Sequence, residues 1–159
     1  MTNPKKEFSI RHLELDDLPA VFHLGEDLFT SRLTPNAYRT WDQYEVVDFF
    51  QSNSELCFVA EAEDRVVGFV LGSIIDKSHS SWTYGYLTWI GVEADMKKAG
   101  VGKSLVRHFL RACEKHGARM LLVDTDAENL DAISFFESLG FGNPEKHVYL
   151  KLNLSRLKH

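Results

Sequence analysis

A short glycine-containing segment, residues 96–103, constrains what this chain can fold into more than any other part of its sequence. It reads MKKAGVGK and connects an apolar run typical of a strand (residues 84–92) to a run with helical spacing of apolar residues (residues 100–116). Glycines let a backbone approach a ligand closely, because no Cβ stands in the way. The helix N-terminus adds unpaired N–H groups and a positive dipole end, which favour phosphate. The segment therefore predicts a phosphate-binding turn, with an ordinary tight connection as the alternative.

The charge of the chain supports a local anion site and argues against nucleic acid as a partner. The formal net charge of the 159 residues is -5, yet Lys97, Lys98 and Lys103 fall within this one segment. Nucleic-acid binders usually present a broad basic surface, which this composition does not favour. A negative surface weakly favours amine substrates instead.

Length and hydropathy predict one soluble domain over residues 1–159. No apolar run approaches the roughly 18 residues of a transmembrane helix, and the first ten residues lack the apolar stretch of a signal peptide. We therefore expect a cytoplasmic protein without a membrane partner. Cys57 and Cys113 fall in a predicted strand and a predicted helix, which favours buried free thiols over a disulfide.

Periodicity predicts an α/β (α+β) fold built on a mixed, mostly antiparallel sheet. The predicted order is β-α-α-β-β-β-α-β-α-β-β, with seven strands and about four helices. The predicted strands are residues 8–13, 56–62, 66–75, 84–92, 119–124, 141 and 147–154. The predicted helices begin near residues 18, 41, 100 and 129. A strand–helix–strand crossover around the glycine segment implies at least one parallel pair of strands.

Two motifs in this order resemble those of the GNAT superfamily of acyl-CoA-dependent N-acyltransferases. The first signature is Arg or Gln, two residues, Gly, one residue, then Gly or Ala, and residues 97–102 (KKAGVG) match it except that lysine stands first. The second is Asn, two residues, Ala, two residues, an aromatic pair and then Gly-Phe, and residues 129–141 (NLDAISFFESLGF) carry it. A single glycine motif is weak evidence, whereas two at the right spacing are specific.

The resemblance implies that acetyl-CoA is the cosubstrate, and we expect no metal, because the seven histidines form no ligand-like cluster. The pyrophosphate of acetyl-CoA would lie on the backbone amides of Lys97, Lys98, Ala99, Gly100, Val101 and Gly102, with Lys103 and Ser104 at the start of the helix. The pantetheine arm would pair with the backbone of Ile90, Gly91 and Val92, and one of these amides would polarise the thioester carbonyl as an oxyanion hole does. Asn129 would hydrogen-bond to the arm, and Phe136 belongs to the same cofactor-binding set.

The expected catalytic groups depart from the family pattern. Many members place a tyrosine acid where this chain has Phe136, and another hydroxyl, from Tyr86 or Tyr149, could replace it, although a thiolate leaves tolerably without an acid. Several members carry a glutamate base where this chain has Tyr86. Asp124 and Asp126 are alternative bases, although both also suit a plain polar strand end.

The acceptor groove of such an enzyme is formed mainly by its first two helices, their loop and its last two strands. The residues that the resemblance places there are Glu26, Phe29, Tyr38, Trp41 and Tyr44, with Trp82 and Tyr84 nearby. Aromatic rings and carboxylates suit an amine on an apolar body. For any single one of these residues, ordinary core packing is the alternative.

The sequence therefore predicts an N-acetyltransferase whose acceptor is a small amine, a polyamine or a protein or peptide amine. The amine would attack the thioester directly in a ternary complex. Two alternatives stay open, a non-catalytic acyl-CoA-binding module and a transferase for a larger acyl-CoA. Members of the family often form homodimers, and the resemblance leaves a homodimer open.

Overall fold

The computed structural model describes residues 6–29, 40–77 and 82–157. The chain divides into two compact units, one ending at Asp124 and the other beginning at Thr125. A single domain over residues 1–159 stays a prediction.

The first unit is a mixed sheet with helices packed on its faces. Its strands lie side by side in chain order: β1 (Ser9–His12), β2 (Phe58–Ala62), β3 (Arg65–Asp76), β4 (Thr83–Val92) and β5 (Met120–Val123). The first three pairings are antiparallel, and β4 pairs with β5 in parallel. The helices of this unit are α1 (Leu18–Leu28), α2 (Gln43–Asn53) and α3 (Val101–Lys115). The crossover through α3 therefore produces the predicted parallel pair.

Local signals explain where these elements begin and end. The predicted β2–β3 hairpin turns at Glu63 and Asp64, which both adopt positive φ angles of 52° and 59°. Asp42 caps α2 by accepting a hydrogen bond from the backbone N–H of Glu45. Helix α3 ends before Gly117, whose φ of 80° is the left-handed conformation typical of a helix C-terminus.

The predicted count of seven strands is corrected to five within the part of the chain that the structure describes. Residues 141–153 adopt no regular secondary structure, although strands were predicted at Phe141 and at residues 147–154. Side chains along the second segment are largely exposed, for example 80% at Val148 and 91% at Leu150. Alternating apolar residues indicate which face of a strand is buried. A strand also needs a neighbouring strand to hydrogen-bond with its backbone, and the alternating pattern does not identify that neighbour.

The two faces of the sheet are covered by different helices. Val21 of α1 and Val46 of α2 belong to one buried cluster with Leu71 of β3. The next residue, Gly72, faces the other side, because a Cβ there would lie 2.2 Å from the ring of Phe109 on α3. The ring of Phe109 thus occupies the space that a side chain at position 72 would need.

An irregularity in β4 changes the face of the sheet on which its side chains lie. Leu71 lies opposite Trp89 and Gly72 opposite Leu87, so β4 carries one extra residue, Thr88, as a β-bulge does. Before the bulge, a Cβ at Gly85 would meet Cys113 of α3, whereas after it a Cβ at Gly91 would meet Leu28 of α1. Odd-numbered residues therefore switch from the α3 face to the α1 face at Thr88.

Both cysteines are buried thiols, as predicted. Burial raises the pKa of each thiol to about 12, because the low-dielectric interior disfavours the thiolate. Since only the thiolate reacts, Cys57 and Cys113 are chemically protected in the folded state.

We expect both thiols to react with an aromatic disulfide reagent at pH 8 only after unfolding. An unfolded thiol has a pKa of about 8.5, so a folded pKa near 12 slows labelling by roughly a thousandfold or more. The free energy of unfolding should also fall as pH rises from about 9 towards 12, because the unfolded thiols ionise first. Stopped-flow labelling with and without denaturant checks the first point, and native-state labelling as fast as that of the denatured chain would contradict it.

Candidate active site

The glycine turn lies where the sequence predicts it and is open, and its binding of phosphate stays a prediction. Residues Ala94–Ala99 form a short 3-10 helix, and Gly100 follows with a φ of 88°, the left-handed region that favours glycine. Helix α3 begins at the next residue, so its first N–H groups point into the turn. A Cβ at Gly100 would have no neighbouring atom within 4 Å. The turn therefore offers backbone donors beside open space, with Lys97 and Lys98 exposed next to it.

Strand β4 approaches this turn with one edge available. Its pairing with β5 runs from Tyr84 to Leu87, where Leu87 lies opposite Val123, but β4 itself continues to Val92. Within the described residues, Ile90, Gly91 and Val92 pair with β3 alone. The backbone edge at residues 90–92 can therefore accept an extended ligand as an added strand.

Two predicted catalytic residues meet at the point where β4 and β5 part. The Tyr86 hydroxyl donates a hydrogen bond to Asp124 Oδ1 at 2.5 Å, and both side chains are partly buried. Sequence reasoning named the two residues as separate alternatives, whereas the structure joins them across neighbouring strands.

Three of the predicted acceptor residues also come together. Glu26, Phe29 and Trp41 line a cavity of about 430 Å³, together with Asp27. Trp41 lies against α1 because position 25 is glycine; a Cβ there would come 2.1 Å from the indole. Its Nε1 donates to the Phe22 carbonyl oxygen at 3.0 Å, which holds the ring in place.

Behind this cavity the aromatic packing continues to β4 through Trp89, a buried core residue that sequence reasoning did not place there. The rings of Trp41 and Trp89 are 5.0 Å apart, and Phe29 lies 4.9 Å from Trp89. Trp89 Nε1 donates to Glu45 Oε1 of α2 at 2.9 Å. The signal that could have identified Trp89 is its place on the predicted strand, but only the bulge at Thr88 turns it towards α1 and α2.

Among the described residues, the predicted acceptor residues Tyr44, Trp82 and Tyr84 do not join the cavity lining. Tyr38 lies outside the described residues. Tyr84 pairs with Met120 near the start of β4, and the Lys77 Nζ lies 5.3 Å from its ring centroid. Its role in acceptor binding stays a prediction.

The second unit contains the other motif. Asn129 caps α4 (Leu130–Glu137), since its side chain accepts a hydrogen bond from the Ala132 N–H at 3.2 Å. Phe136 is buried with Phe135 and Phe141, at ring distances of 5.1 and 5.3 Å. Tyr149 is 58% exposed in the irregular segment that follows. The predicted contacts of Asn129 and Phe136 with pantetheine, and the acid role of Tyr149, stay predictions.

Metal and membrane sites are not found in the described ranges. No three His, Cys, Asp or Glu side chains there converge as metal ligands would. None of the helices in those ranges has both the length and the apolarity to span a bilayer.

Comparison with known proteins agrees with this geometry. The model of the acetyltransferase (GNAT) family matches residues 19–141. Human N-acetyltransferase 8B is 31% identical over 139 residues, which cover 85% of this chain and 60% of the relative. The [ribosomal protein bS18]-alanine N-acetyltransferase of Escherichia coli strain K12 is 26% identical over 133 residues, covering 84% and 80% of the two chains.

A solved structure shares the fold. Aminoglycoside N-acetyltransferase AAC(6')-Iy in complex with CoA superposes with a TM-score of 0.75 at 21% identity, covering 96% of this chain and 99% of the other. At this identity the likeness concerns the fold alone. The chain also spans only 60% of the length of the human relative, so the human protein's activity does not transfer directly.

Proposed function

This chain belongs to the acetyltransferase (GNAT) family, and from that premise we propose that it transfers an acetyl group from acetyl-CoA to a primary amine. The amine attacks the thioester directly in a ternary complex, and the products are an N-acetylated amine and CoA. The acceptor is a small amine, a polyamine or an amine of a protein or peptide.

One observation carries the proposal: β4 runs past the end of its pairing with β5 and leads into the open turn at Gly100. The turn offers backbone N–H groups and a helix dipole to the pyrophosphate of CoA. The edge at residues 90–92 offers N–H and C=O groups to the amides of pantetheine. A linear ligand with a phosphate group at one end and an amide-containing arm fits this arrangement, with the phosphate at the turn and the arm along the edge of β4.

The same edge supplies the electrostatic part of catalysis. A backbone N–H of Ile90, Gly91 or Val92 that is directed at the thioester carbonyl stabilises the oxyanion of the tetrahedral intermediate. The leaving group needs less help, because a thiol pKa of about 8.5 makes the thiolate a tolerable leaving group. The chain therefore functions with Phe136 in place of a tyrosine acid, at a cost that is typically about 10²–10⁴-fold for a lost general acid.

The cavity at the C-terminal end of α1 suits a cationic acceptor. Glu26 and Asp27 supply negative charge, and Phe29 and Trp41 supply aromatic faces. By their names, the relatives act on the alanine of a ribosomal protein and on aminoglycosides, so amines of both kinds belong in a substrate search.

Thiol release with a panel of amines tests the proposal. The panel contains a peptide with a free α-amine, a lysine peptide with a blocked N-terminus, a polyamine and an aminoglycoside. We expect amine-dependent release of free CoA and a mass increase of one acetyl group on one of these acceptors. Saturable acetyl-CoA binding without release on any amine would contradict the proposal and favour a non-catalytic acyl-CoA-binding module.

The donor is tested in the same assay with acetyl-, succinyl- and longer acyl-CoA. We propose acetyl-CoA as the preferred donor. A higher kcat/KM with a larger acyl-CoA would overturn that choice while leaving the acyltransferase reaction intact.

A further inference from the structure

We propose that Tyr86 and Asp124 act as one unit that takes the proton from the attacking amine, an inference that rests on the proposed acetyl transfer. The Tyr86 hydroxyl donates to Asp124 Oδ1 at 2.5 Å, so the proton has a continuous path from the phenol oxygen to the carboxylate. A tyrosine alone is a poor base at neutral pH, because the protonated phenol dominates over the basic phenolate. A carboxylate hydrogen-bonded to the phenol removes this obstacle, because the phenol oxygen passes its own proton to Asp124 as it accepts the proton of the amine.

The direction of the pantetheine arm places the thioester close to this pair. The arm starts at the Gly100 turn, beyond Val92, and follows the open edge of β4 backwards. It cannot continue past Leu87, because from there the edge is paired with β5. The acyl end of the arm therefore stops near Thr88, next to the strand ends that carry Tyr86 and Asp124.

The pair also faces the side from which the acceptor enters. Gly85 and Leu87 address α3, so by strand alternation Tyr86 addresses the opposite face, where α1 and α2 pack. The bulge at Thr88 brings Trp89 to that same face. Trp89 in turn contacts Trp41, which lines the acceptor cavity. An amine bound in the cavity thus approaches the thioester from the side of Tyr86.

Other carboxylates on this side have different partners or positions. Glu45 of α2 accepts the Trp89 indole N–H, which fixes its orientation. Glu26 and Asp27 are exposed at the cavity. These groups are placed to attract the amine, whereas Asp124 is placed to receive its proton.

The proton balance of the step is simple. The bound ammonium first gives a proton to the Tyr86 oxygen as the original phenol proton moves onto Asp124, and Asp124 releases this proton to solvent. The neutral nitrogen that results attacks the carbonyl carbon and forms the C–N bond, and the C–S bond then breaks with its electron pair leaving on sulfur. The CoA thiolate takes up the second proton, which the nitrogen loses as the amide forms.

The test compares Tyr86→Phe and Asp124→Asn with the wild-type protein, using the panel amine that the wild type acetylates fastest. Both changes preserve side-chain shape, so we expect unchanged acetyl-CoA affinity by calorimetry and unchanged circular dichroism. We expect kcat/KM at pH 7 to fall about 100-fold or more in each variant. Because the two residues act together, the double variant should be no slower than either single variant.

Asp76→Asn is the matched control. The Thr83 hydroxyl donates to Asp76 Oδ1 at 2.9 Å, so a hydroxyl–carboxylate bond of the same kind joins β4 to β3 at the far end of the strand. We expect the rate of Asp76→Asn to stay within about twofold of the wild type, as for a surface change away from the site.

The pH profile separates proton transfer from mere positioning. If the pair accepts the proton, the loss of kcat/KM in each variant relative to the wild type shrinks as pH approaches the pKa of the amine, about 8 for an α-amine. The reason is that the amine then loses its proton to solvent without the pair. A deficit that is equal at every pH would overturn the proposal, and so would wild-type kcat/KM in either variant. Both of these results would leave acetyl transfer itself intact, whereas no thiol release by the wild type would count against the proposed function instead.

Discussion

Replacing Gly100 by glutamate should weaken acetyl-CoA binding by about 100-fold or more. The new carboxylate would occupy the N–H groups at the start of α3 and repel the pyrophosphate. Loss of two charge-assisted hydrogen bonds, at about 1.5–3 kcal/mol each, corresponds to at least this factor. A Cβ at position 100 meets no atom within 4 Å, so the main strain on the fold comes from the positive φ of 88°. Calorimetric titration with acetyl-CoA measures the effect.

Gly117→Glu is the control for that experiment. Gly117 lies at the other end of α3, has a φ of 80° and likewise has open space around a Cβ. The backbone strain is therefore the same, and a carboxylate at the helix C-terminus adds a small unfavourable dipole term. We expect a similar loss of stability but wild-type affinity for acetyl-CoA. Equal affinity in the two variants would overturn the placement of the pyrophosphate at Gly100.

Phe109→Ala should lower the free energy of unfolding by about 3–5 kcal/mol. Phe109 is fully buried on α3, and its ring fills the space beside Gly72 of β3. Removing it forfeits the burial of the ring and leaves a cavity that the glycine cannot fill. Denaturant titration followed by circular dichroism measures the loss, and thermal unfolding should shift by roughly 6–20 °C.

Tyr44→Ala removes an aromatic ring of similar size from an exposed position and serves as the comparison. Tyr44 of α2 is 68% exposed, so we expect a change within about 0.5 kcal/mol. A loss below about 1 kcal/mol for Phe109→Ala would contradict the packing of α3 on the sheet. That packing also fixes the position of the turn at Gly100.

Much of the first unit follows from local sequence signals. The five strands found and the helices α1 to α3 lie within a few residues of their predicted places, because their apolar residues recur at strand or helix spacing. The turn at Gly100 was also predictable from a local signal, because a glycine between a strand and a helix indicates a backbone conformation that other residues avoid.

The functional arrangement depends on long-range register, which local patterns do not contain. The extra residue Thr88 changes the face of Trp89 and thereby brings it against Trp41, yet nothing in the residues around it marks a bulge. The contact of Tyr86 with Asp124 spans 38 residues and requires the parallel pairing of β4 with β5. The strand predicted at residues 147–154 fails for a related reason, since its alternating pattern does not name a neighbouring strand.

Amide chemical shifts of ¹⁵N-labelled protein during titration with CoA test the central claim most directly, because they report on the backbone groups that bind it. The predicted result is saturable shift changes concentrated at residues 90–92 and 97–104, where the pantetheine and the pyrophosphate pair with the backbone. Shift changes concentrated at the cavity of Glu26 and Trp41, with the Gly100 turn unaffected, would contradict the claim, and so would the absence of saturable changes.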